Sequence, residues 1–180
     1  MIAPCTIVDD DQWPAEIEHM REGFAGKLNV YRLMANHPAL LAAWAPLRQH
    51  VVIDNALGAE RSEVVILRAA FRLGSAYEWA HHVTRARRLG FSDTRIDSLR
   101  GQVDAMAPSD RLVAEAVDAL FDDRRIPPIL EHRLAEALGR SAVFDLIATV
   151  GFYSCLGYLL NTYDPPLDQE IAAELAERPL

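Results

Sequence analysis

Apolar residues recur at helical spacing along almost the whole chain, and glycine or proline separates one periodic segment from the next. A 3.6-residue repeat places side chains three and four positions apart on one face of a helix. No stretch shows the alternation of apolar and polar residues that is typical of a half-buried strand. We therefore predict an all-α fold, a compact multi-helix domain of about eight to ten short helices over residues 1–180.

Capping residues, glycines and prolines predict where the helices begin and end. Gly26 and Gly74 are expected to end helices, and Pro46 is expected to kink one. The sequence Ser75-x-x-Glu78 is formally a capping box at the start of the next helix. In chain order the predicted helices cover residues 15–25, 29–36, 39–57, 59–73, 76–89, 94–100, 111–122, 129–138 and 141–163, followed by a short polar helix.

Composition and charge limit the classes of function. The net charge of −8 disfavours nucleic acid or an anionic membrane as the main partner. No apolar run comes near the roughly twenty residues that span a bilayer, and no signal peptide is visible. The two cysteines, Cys5 and Cys155, form neither CxxC nor metal-ligand spacing, so we expect a cytoplasmic protein without metal or cofactor. The hydrophobic share of 51% favours a homo-oligomer with a buried interface.

The helix predicted over residues 76–89 carries the side chains best suited to chemistry. Glu78 and His82 are four residues apart and therefore lie on one helix face. A carboxylate beside an imidazole can transfer protons, because both titrate near neutral pH with modest tuning. Both residues lie at the flank of the apolar stripe, where a cleft residue would be partly buried and still reachable. His81, Thr84 and Arg88 are expected on the opposite, solvent-facing side.

Each candidate also has a purely structural interpretation. A Glu–His pair at this spacing can be a surface pair worth a few tenths of a kcal/mol. Ser75 and Glu78 can serve only to cap their helix, and Glu63 can simply complement the dipole of its own helix. Arg85 lies on the same flank as the candidate pair and could bind a substrate carboxylate. Cys155, inside an apolar helix, is expected to be a buried and unreactive thiol.

Over about residues 39–166 the chain resembles the carboxymuconolactone decarboxylase and alkylhydroperoxidase D-like superfamily. The resemblance is strongest in residues 61–68, 74–82 and 86–93, and residues 150–163 add to it. The order and spacing of these segments agree with the superfamily over several helices. The resemblance implies a compact all-α fold and an oligomer, commonly a dimer, trimer or hexamer.

The resemblance also places the candidate residues in a known motif. In the peroxidase branch a Glu precedes CxxC, and a His follows the second Cys by four residues. Aligned on His82, the two cysteine positions hold Ser75 and Glu78, and the upstream Glu falls on Glu63. A serine hydroxyl cannot run the disulfide cycle of that branch, so peroxidase activity is disfavoured. The decarboxylase branch instead has a Glu at the position of Glu78 and a His at that of His82.

The resemblance and the residues together predict cofactor-free acid/base chemistry on a small carbonyl compound or lactone, by decarboxylation, isomerisation or hydration. His82 would shuttle the proton, Glu78 would orient it or act as base, and Glu63 would set its tautomer or relay protons to solvent. The candidate substrate-binding residues are Ser75, Tyr77 and Arg85. Two alternatives stay open: a peroxidase that uses the remaining cysteines, and a non-catalytic oligomer that binds a small metabolite. Because Glu63 lies on a different helix, only the fold decides whether it reaches His82.

Overall fold

The computed structural model describes residues 5–180, and within this range it confirms the all-α prediction, with no strand. Its α-helices are α1 (Phe24–Lys27), α2 (Asn29–Met34), α3 (Pro38–Arg48), α4 (Ala59–Leu73), α5 (Ala76–Arg88), α6 (Asp93–Ser98), α7 (Pro108–Asp122), α8 (Pro128–Leu138), α9 (Arg140–Tyr163) and α10 (Gln169–Glu177). Shorter helical turns lie at Asp10–Gln12, Ala15–Met20, Gln49–Asp54 and Val103–Ala105.

Helix α4 is the centre of the fold. It packs against α5, α7 and α9, and residues 62–70 are all buried. A helix that is covered on every side brings its polar side chains into the interior as well as its apolar ones. Glu63 in this helix is only 4% exposed. A carboxylate at such a depth needs a partner, because an unpaired buried charge costs several kcal/mol.

Helix α9 forms the other half of the core. By length and composition it is apolar enough to cross a membrane, contrary to the prediction that no run is long enough. However, 56% of its most apolar stretch is buried against the rest of the protein, and it packs against α4 and α8. A Cβ atom at Gly157 would lie 2.9 Å from Leu73 Cδ1. The glycine therefore lets α9 approach α4 closely, which identifies α9 as a core helix.

The predicted boundary between α4 and α5 is confirmed. Helix α4 covers Ala59–Leu73, and Gly74 ends it in the left-handed conformation with φ of 62°. Glycine adopts this conformation without the Cβ clash that other residues meet. The tight turn leads directly into α5, so that the two helices pack against each other. The turn thus places residues of both helices around a shared interior space.

The predicted N-terminal helix is wrong. The chain forms a kinked 3-10 helix in place of a continuous helix over 15–25, and Gly26 lies inside α1 rather than beyond the helix end. Ile17 has non-helical backbone angles, and its carbonyl accepts a hydrogen bond from Trp13 Nε1 at 3.0 Å. Both side chains are buried. Packing of these two residues into the core therefore overrides the local helical preference.

The predicted solvent-facing side of α5 is wrong for His81 and Thr84, whereas Arg88 is exposed as predicted. His81 is 7% exposed and Thr84 is fully buried. His81 Nε2 lies 2.8 Å from Asp168 Oδ2, and Asp168 directly precedes α10, which packs against α5. The helical wheel predicts only which residues share a face. A later helix, far away in the sequence, covers the face that the local pattern assigns to solvent.

Candidate active site

Glu63 and His82 meet in the interior between α4 and α5. His82 Nδ1 lies 2.6 Å from Glu63 Oε2, and the two side chains are 3% and 5% exposed. This hydrogen bond supplies the partner that a buried carboxylate requires. It also fixes the plane of the imidazole ring and leaves Nε2 as the nitrogen available for chemistry.

Glu78 lies on the other side of the imidazole ring. Its Oε2 is 3.5 Å from His82 Nε2, an ion-pair contact that is too long for a strong hydrogen bond. Its Oε1 is buried and lacks a hydrogen-bond partner among residues 5–180. A buried carboxylate oxygen without a partner costs free energy that a bound water or ligand would recover. The gap between Glu78 and His82 is therefore the place where a reacting group would complete the site.

The environment of His82 favours its protonated form. Complete burial opposes the positive charge, but the Glu63 carboxylate outweighs this effect, with a smaller contribution from Glu78. The net result raises the pKa of His82 above the ordinary value of 6.5. The ring therefore holds a proton over a pH range in which a free histidine has already lost it.

A small inner cavity opens beside this pair. Its volume is about 30 Å³, room for a water or a group of similar size. Its polar wall is formed by Tyr31, Arg48, Tyr77, Glu78, His81, His82, Arg85 and Tyr153. Arg85 also lines a neighbouring outer cavity of about 280 Å³, together with Glu63 and the apolar Val52, Ile66 and Leu89. The two catalytic candidates on α5 thus border the inner cavity, and Glu63 borders the outer one.

The three candidate substrate-binding residues differ in their surroundings. Ser75 is buried, and its Oγ bonds neither to the backbone nor to another described group, so the predicted capping box does not form. The Tyr77 hydroxyl donates to Asp168 and accepts from the backbone N–H of Val30 at 3.1 Å. Arg85 is 41% exposed, and its Nε lies 3.4 Å from Glu63 Oε1. Of the three, Arg85 alone has a side chain that is substantially exposed.

Tyrosines on two sides of the inner cavity hold their protons. Burial raises the pKa of Tyr31 to about 12, although the neighbouring Arg48 opposes the shift. Burial also raises the pKa of Tyr153 well above its usual value. The Tyr153 ring lies edge-on to His82 with the ring centres 5.1 Å apart. These hydroxyls therefore act as neutral hydrogen-bond donors at physiological pH.

Sequence reasoning missed Arg48, which reaches the inner cavity from the end of α3. Its guanidinium carbon lies 4.1 Å from the centre of the Phe24 ring, and its Nε is buried without a hydrogen-bond partner in the described chain. The local sequence gives no signal that Arg48 lies at a cavity, because an arginine in the last turn of a helix ordinarily complements the helix dipole. Only the packing of α3 against the site reveals it.

Neither Cys5 nor Cys155 lines the inner or the outer cavity. Cys155 is exposed on α9, which contradicts the prediction of a buried thiol. It lies on the outward face of that helix, and desolvation by partial burial raises the pKa of its thiol. Within residues 5–180 no cluster of three or more His, Cys, Asp or Glu side chains is arranged to hold a metal ion.

The fold and the site together define an all-α protein in which a buried histidine lies between two carboxylates and no thiol takes part. The profile of the carboxymuconolactone decarboxylase family matches residues 38–122. This match supports the carboxymuconolactone decarboxylase and alkylhydroperoxidase D-like superfamily, as the resemblance predicted. No curated protein matches the sequence.

Solved structures share this fold. A variant of the debrominase Bmp8 in complex with 2,3,4-tribromopyrrole has a TM-score of 0.77 at 15% identity, over 98% of both chains. An uncharacterized peroxidase-related protein from Silicibacter sp. TM1040 has a TM-score of 0.75 at 15% identity, over 95% of this chain and 97% of its own. A protein of unknown function from Agrobacterium tumefaciens, provisionally assigned to the AhpD antioxidant defence proteins, has a TM-score of 0.66 at 17% identity. The match covers 73% of this chain and 92% of that protein. At such identities the likeness shows the fold alone.

Proposed function

We propose that this protein is an enzyme that performs cofactor-free acid/base chemistry on a small carbonyl compound or lactone. The observation that carries the proposal is the buried 2.6 Å hydrogen bond from His82 Nδ1 to Glu63, with His82 Nε2 left facing Glu78 at the edge of a cavity. A histidine that one carboxylate orients and a second carboxylate faces is suited to move protons in both directions. The match to the family supports an enzyme without specifying its reaction.

The proposed reaction passes through an enolate. Glu78 removes a proton from the carbon next to the carbonyl group, and the electron pair of that C–H bond moves toward the carbonyl oxygen. His82 Nε2–H donates to this oxygen and stabilises the charge that develops on it. Where a further double bond extends the conjugation of the enolate, return of the proton to a different carbon completes an isomerisation. Each proton that leaves the substrate is thus taken up by one of two adjacent side chains, where it can exchange with solvent before a proton returns to the substrate.

Decarboxylation would reach the same enolate by another bond cleavage. The substrate loses CO₂, the electron pair of the C–C bond stays on the remaining carbon, and a proton from His82 or Glu78 then quenches it. In hydration, Glu78 would remove a proton from water as the oxygen adds to an activated carbon, and His82 would protonate the atom that receives the displaced electron pair. A positioned acid or base contributes about 10²–10⁴-fold in rate, which suffices for substrates that a carbonyl group already activates.

Glu63 is a positioning residue in this proposal. It holds His82 by Nδ1 and stabilises the imidazolium, as a carboxylate does in other acid/base sites. Its second oxygen faces Arg85 at 3.4 Å. Because Glu63 also lines the outer cavity, it can relay protons toward solvent without contacting the reacting carbon.

The peroxidase alternative has less support. The positions that hold the redox cysteines in that branch carry Ser75 and Glu78 here. Cys155 lines neither the inner nor the outer cavity, and desolvation raises its thiol pKa, which lowers the fraction of reactive thiolate.

The test is exchange of a substrate proton with solvent, which does not require knowledge of the product. The protein is incubated in D₂O with short oxo acids and lactones, and loss of the α-proton signal is followed by NMR. We expect exchange above the uncatalysed rate, and His82→Gln should reduce it by about tenfold or more. His132→Gln is the matched control, because this exposed residue on α8 pairs only with Glu136. Exchange by His82→Gln at the wild-type rate would exclude His82 as the acid.

We also propose that the protein is a cytoplasmic homo-oligomer, in line with its hydrophobic composition. The outward face of α9 exposes large apolar side chains, with Phe144 69%, Ile147 45% and Tyr158 63% exposed. A second copy of the chain is the occupant that a contiguous apolar face of this kind suits.

A further inference from the structure

We propose that the inner cavity anchors a carboxylate of the substrate, with Arg48 as the primary binding residue and Arg85 as the second. The inference rests on the proposed function and narrows its substrate class to short oxo acids, in which the anchored carboxylate and the reacting carbonyl are separate groups. It assigns a role to Arg48, which the acid/base mechanism does not use.

Arg48 has a buried donor, Nε, without a hydrogen-bond acceptor in the described chain. Phe24 and Tyr31 hold the Arg48 guanidinium by their rings, with its carbon 4.1 and 5.7 Å from the ring centres. The guanidinium also interacts with the Tyr31 hydroxyl, but Nε remains buried with no acceptor within residues 5–180. Arg48 as a whole is partly buried, but a buried donor of a charged group that lacks an acceptor is costly. The missing acceptor is the observation that points to a ligand.

The charged groups around the inner cavity pair with one another and not with Arg48 Nε. Glu63 is occupied by His82 and Arg85, and Glu78 faces His82. Among residues 5–180 no carboxylate accepts a hydrogen bond from Arg48 Nε, although Glu78, whose Oε1 also lacks a partner, lines the same cavity. A small anion placed there would supply the acceptor that Arg48 Nε lacks. A carboxylate fits best, because its two oxygens match the fork of a guanidinium.

The size of the inner cavity limits the group that it can hold. The inner cavity of about 30 Å³ accepts a group as small as a carboxylate but not a whole metabolite. Arg85 belongs to the walls of both the inner and the outer cavity, and its partly exposed side chain can turn aside. The body of the substrate would then extend past Arg85 into the outer cavity, whose wall includes the apolar Val51, Val52 and Ile66. The carbons next to the anchored group would then lie in or beside the cavity that His82 also lines.

The anchor also restricts the reaction. A guanidinium stabilises the carboxylate as an anion, and this stabilisation would be lost if the same group left as neutral CO₂. The anchored carboxylate therefore serves only for binding, and the bond changes occur at the carbonyl group farther along the substrate. Among the reactions in range, the geometry favours enolisation and isomerisation of an oxo acid over loss of the anchored group.

The test measures binding by calorimetry, with 4-oxopentanoate as the probe and its methyl ester as the uncharged analogue. We expect the acid to bind wild-type protein at least about tenfold more tightly than the ester. Arg48→Met should abolish this preference, and Arg48→Lys should keep part of it, because the charge remains but the fork is lost. Arg61→Met is the matched control, since Arg61 is exposed and lines neither cavity. Circular dichroism establishes that each variant is folded.

Several results would overturn the inference. Equal binding of acid and ester would do so, as would wild-type affinity in Arg48→Met or no binding by any oxo acid of three to six carbons. Acetate that binds as tightly as 4-oxopentanoate would reduce the cavity to a general anion site. Binding does not depend on turnover, so the two proposals fail separately. A charge-dependent anchor without proton exchange would remove the enzyme proposal alone, whereas exchange on the ester at the rate of the acid would remove the anchor alone.

Discussion

Glu63 Oε2 and His82 Nδ1 lie 2.6 Å apart, although nineteen residues separate them in the sequence. The contact joins α4 to α5 across the interior, and both side chains are almost completely buried. Because it occupies Nδ1, it directs Nε2 toward Glu78 and the inner cavity. The properties that we expect of the site follow from this pairing.

Replacement of Glu63 by glutamine should alter the pH dependence of activity as well as its size. The Glu63→Gln variant keeps the shape but removes the charge that raises the pKa of His82. We expect proton exchange to fall about tenfold or more, and the pH profile of the remaining activity to move to lower pH. A loss of activity with an unchanged pH profile would limit Glu63 to a structural role.

The same pair should make stability depend on pH. The folded-state pKa of His82 lies above its unfolded value of 6.5, so protonation favours the folded state. The contribution is fully present below that value and is lost as pH rises through the raised folded-state pKa. Urea unfolding of wild type and Glu63→Gln across this range should show a stability difference that shrinks with rising pH. A difference that stayed constant or grew would contradict this linkage.

Removal of the Tyr77 hydroxyl should cost stability. It donates to Asp168 and accepts from the backbone N–H of Val30, both within the protein. Tyr77→Phe leaves these groups without their partner, and the expected loss is about 1–3 kcal/mol in free energy of unfolding. Tyr158→Phe is the control, because Tyr158 is 63% exposed and should change stability by less than about 0.5 kcal/mol. Equal stability of the two variants would show that the Tyr77 contacts contribute little.

Reaction with peroxide should require restored cysteines. Wild-type protein should show no fast loss of thiol groups with hydrogen peroxide, because Cys155 lies on the outer face of α9 with a raised thiol pKa. The double variant Ser75→Cys, Glu78→Cys places two thiols in the first turn of α5, where the helix N-terminus favours thiolate. We expect its thiols to be consumed rapidly and to form a disulfide. Fast consumption in wild type would revive the peroxidase alternative.

Self-association should depend on the outward face of α9. Phe144→Asp introduces a charge at its most exposed large apolar side chain and should convert the oligomer to smaller species in light scattering. Ile53→Asp, a similar change at a residue that is 59% exposed outside α9, should leave the mass unchanged. A wild-type protein that is monomeric at all concentrations would exclude the oligomer.

Local sequence accounts for much of the fold. The bounds of α4 and α5 follow from periodicity and from Gly74, because a helix end needs a residue that tolerates the left-handed conformation. Local sequence fails to predict the structure where packing against distant residues competes with local preference. The turn around Ile17 is irregular because its neighbour Trp13 packs inward, and α10 covers His81 on a face that the wheel assigns to solvent.

The candidate site divides in the same way. The spacing of Glu78 and His82 by itself determines that they share a helix face, since the helical repeat is a local property. Whether Glu63 reaches His82, and whether Arg48 enters the same cavity, is decided only by the tertiary structure. These residues lie on three helices, and their distances depend on how the helices pack. The sequence therefore determined the reactive groups of α5, and the packing of α3 and α4 around it determined their partners.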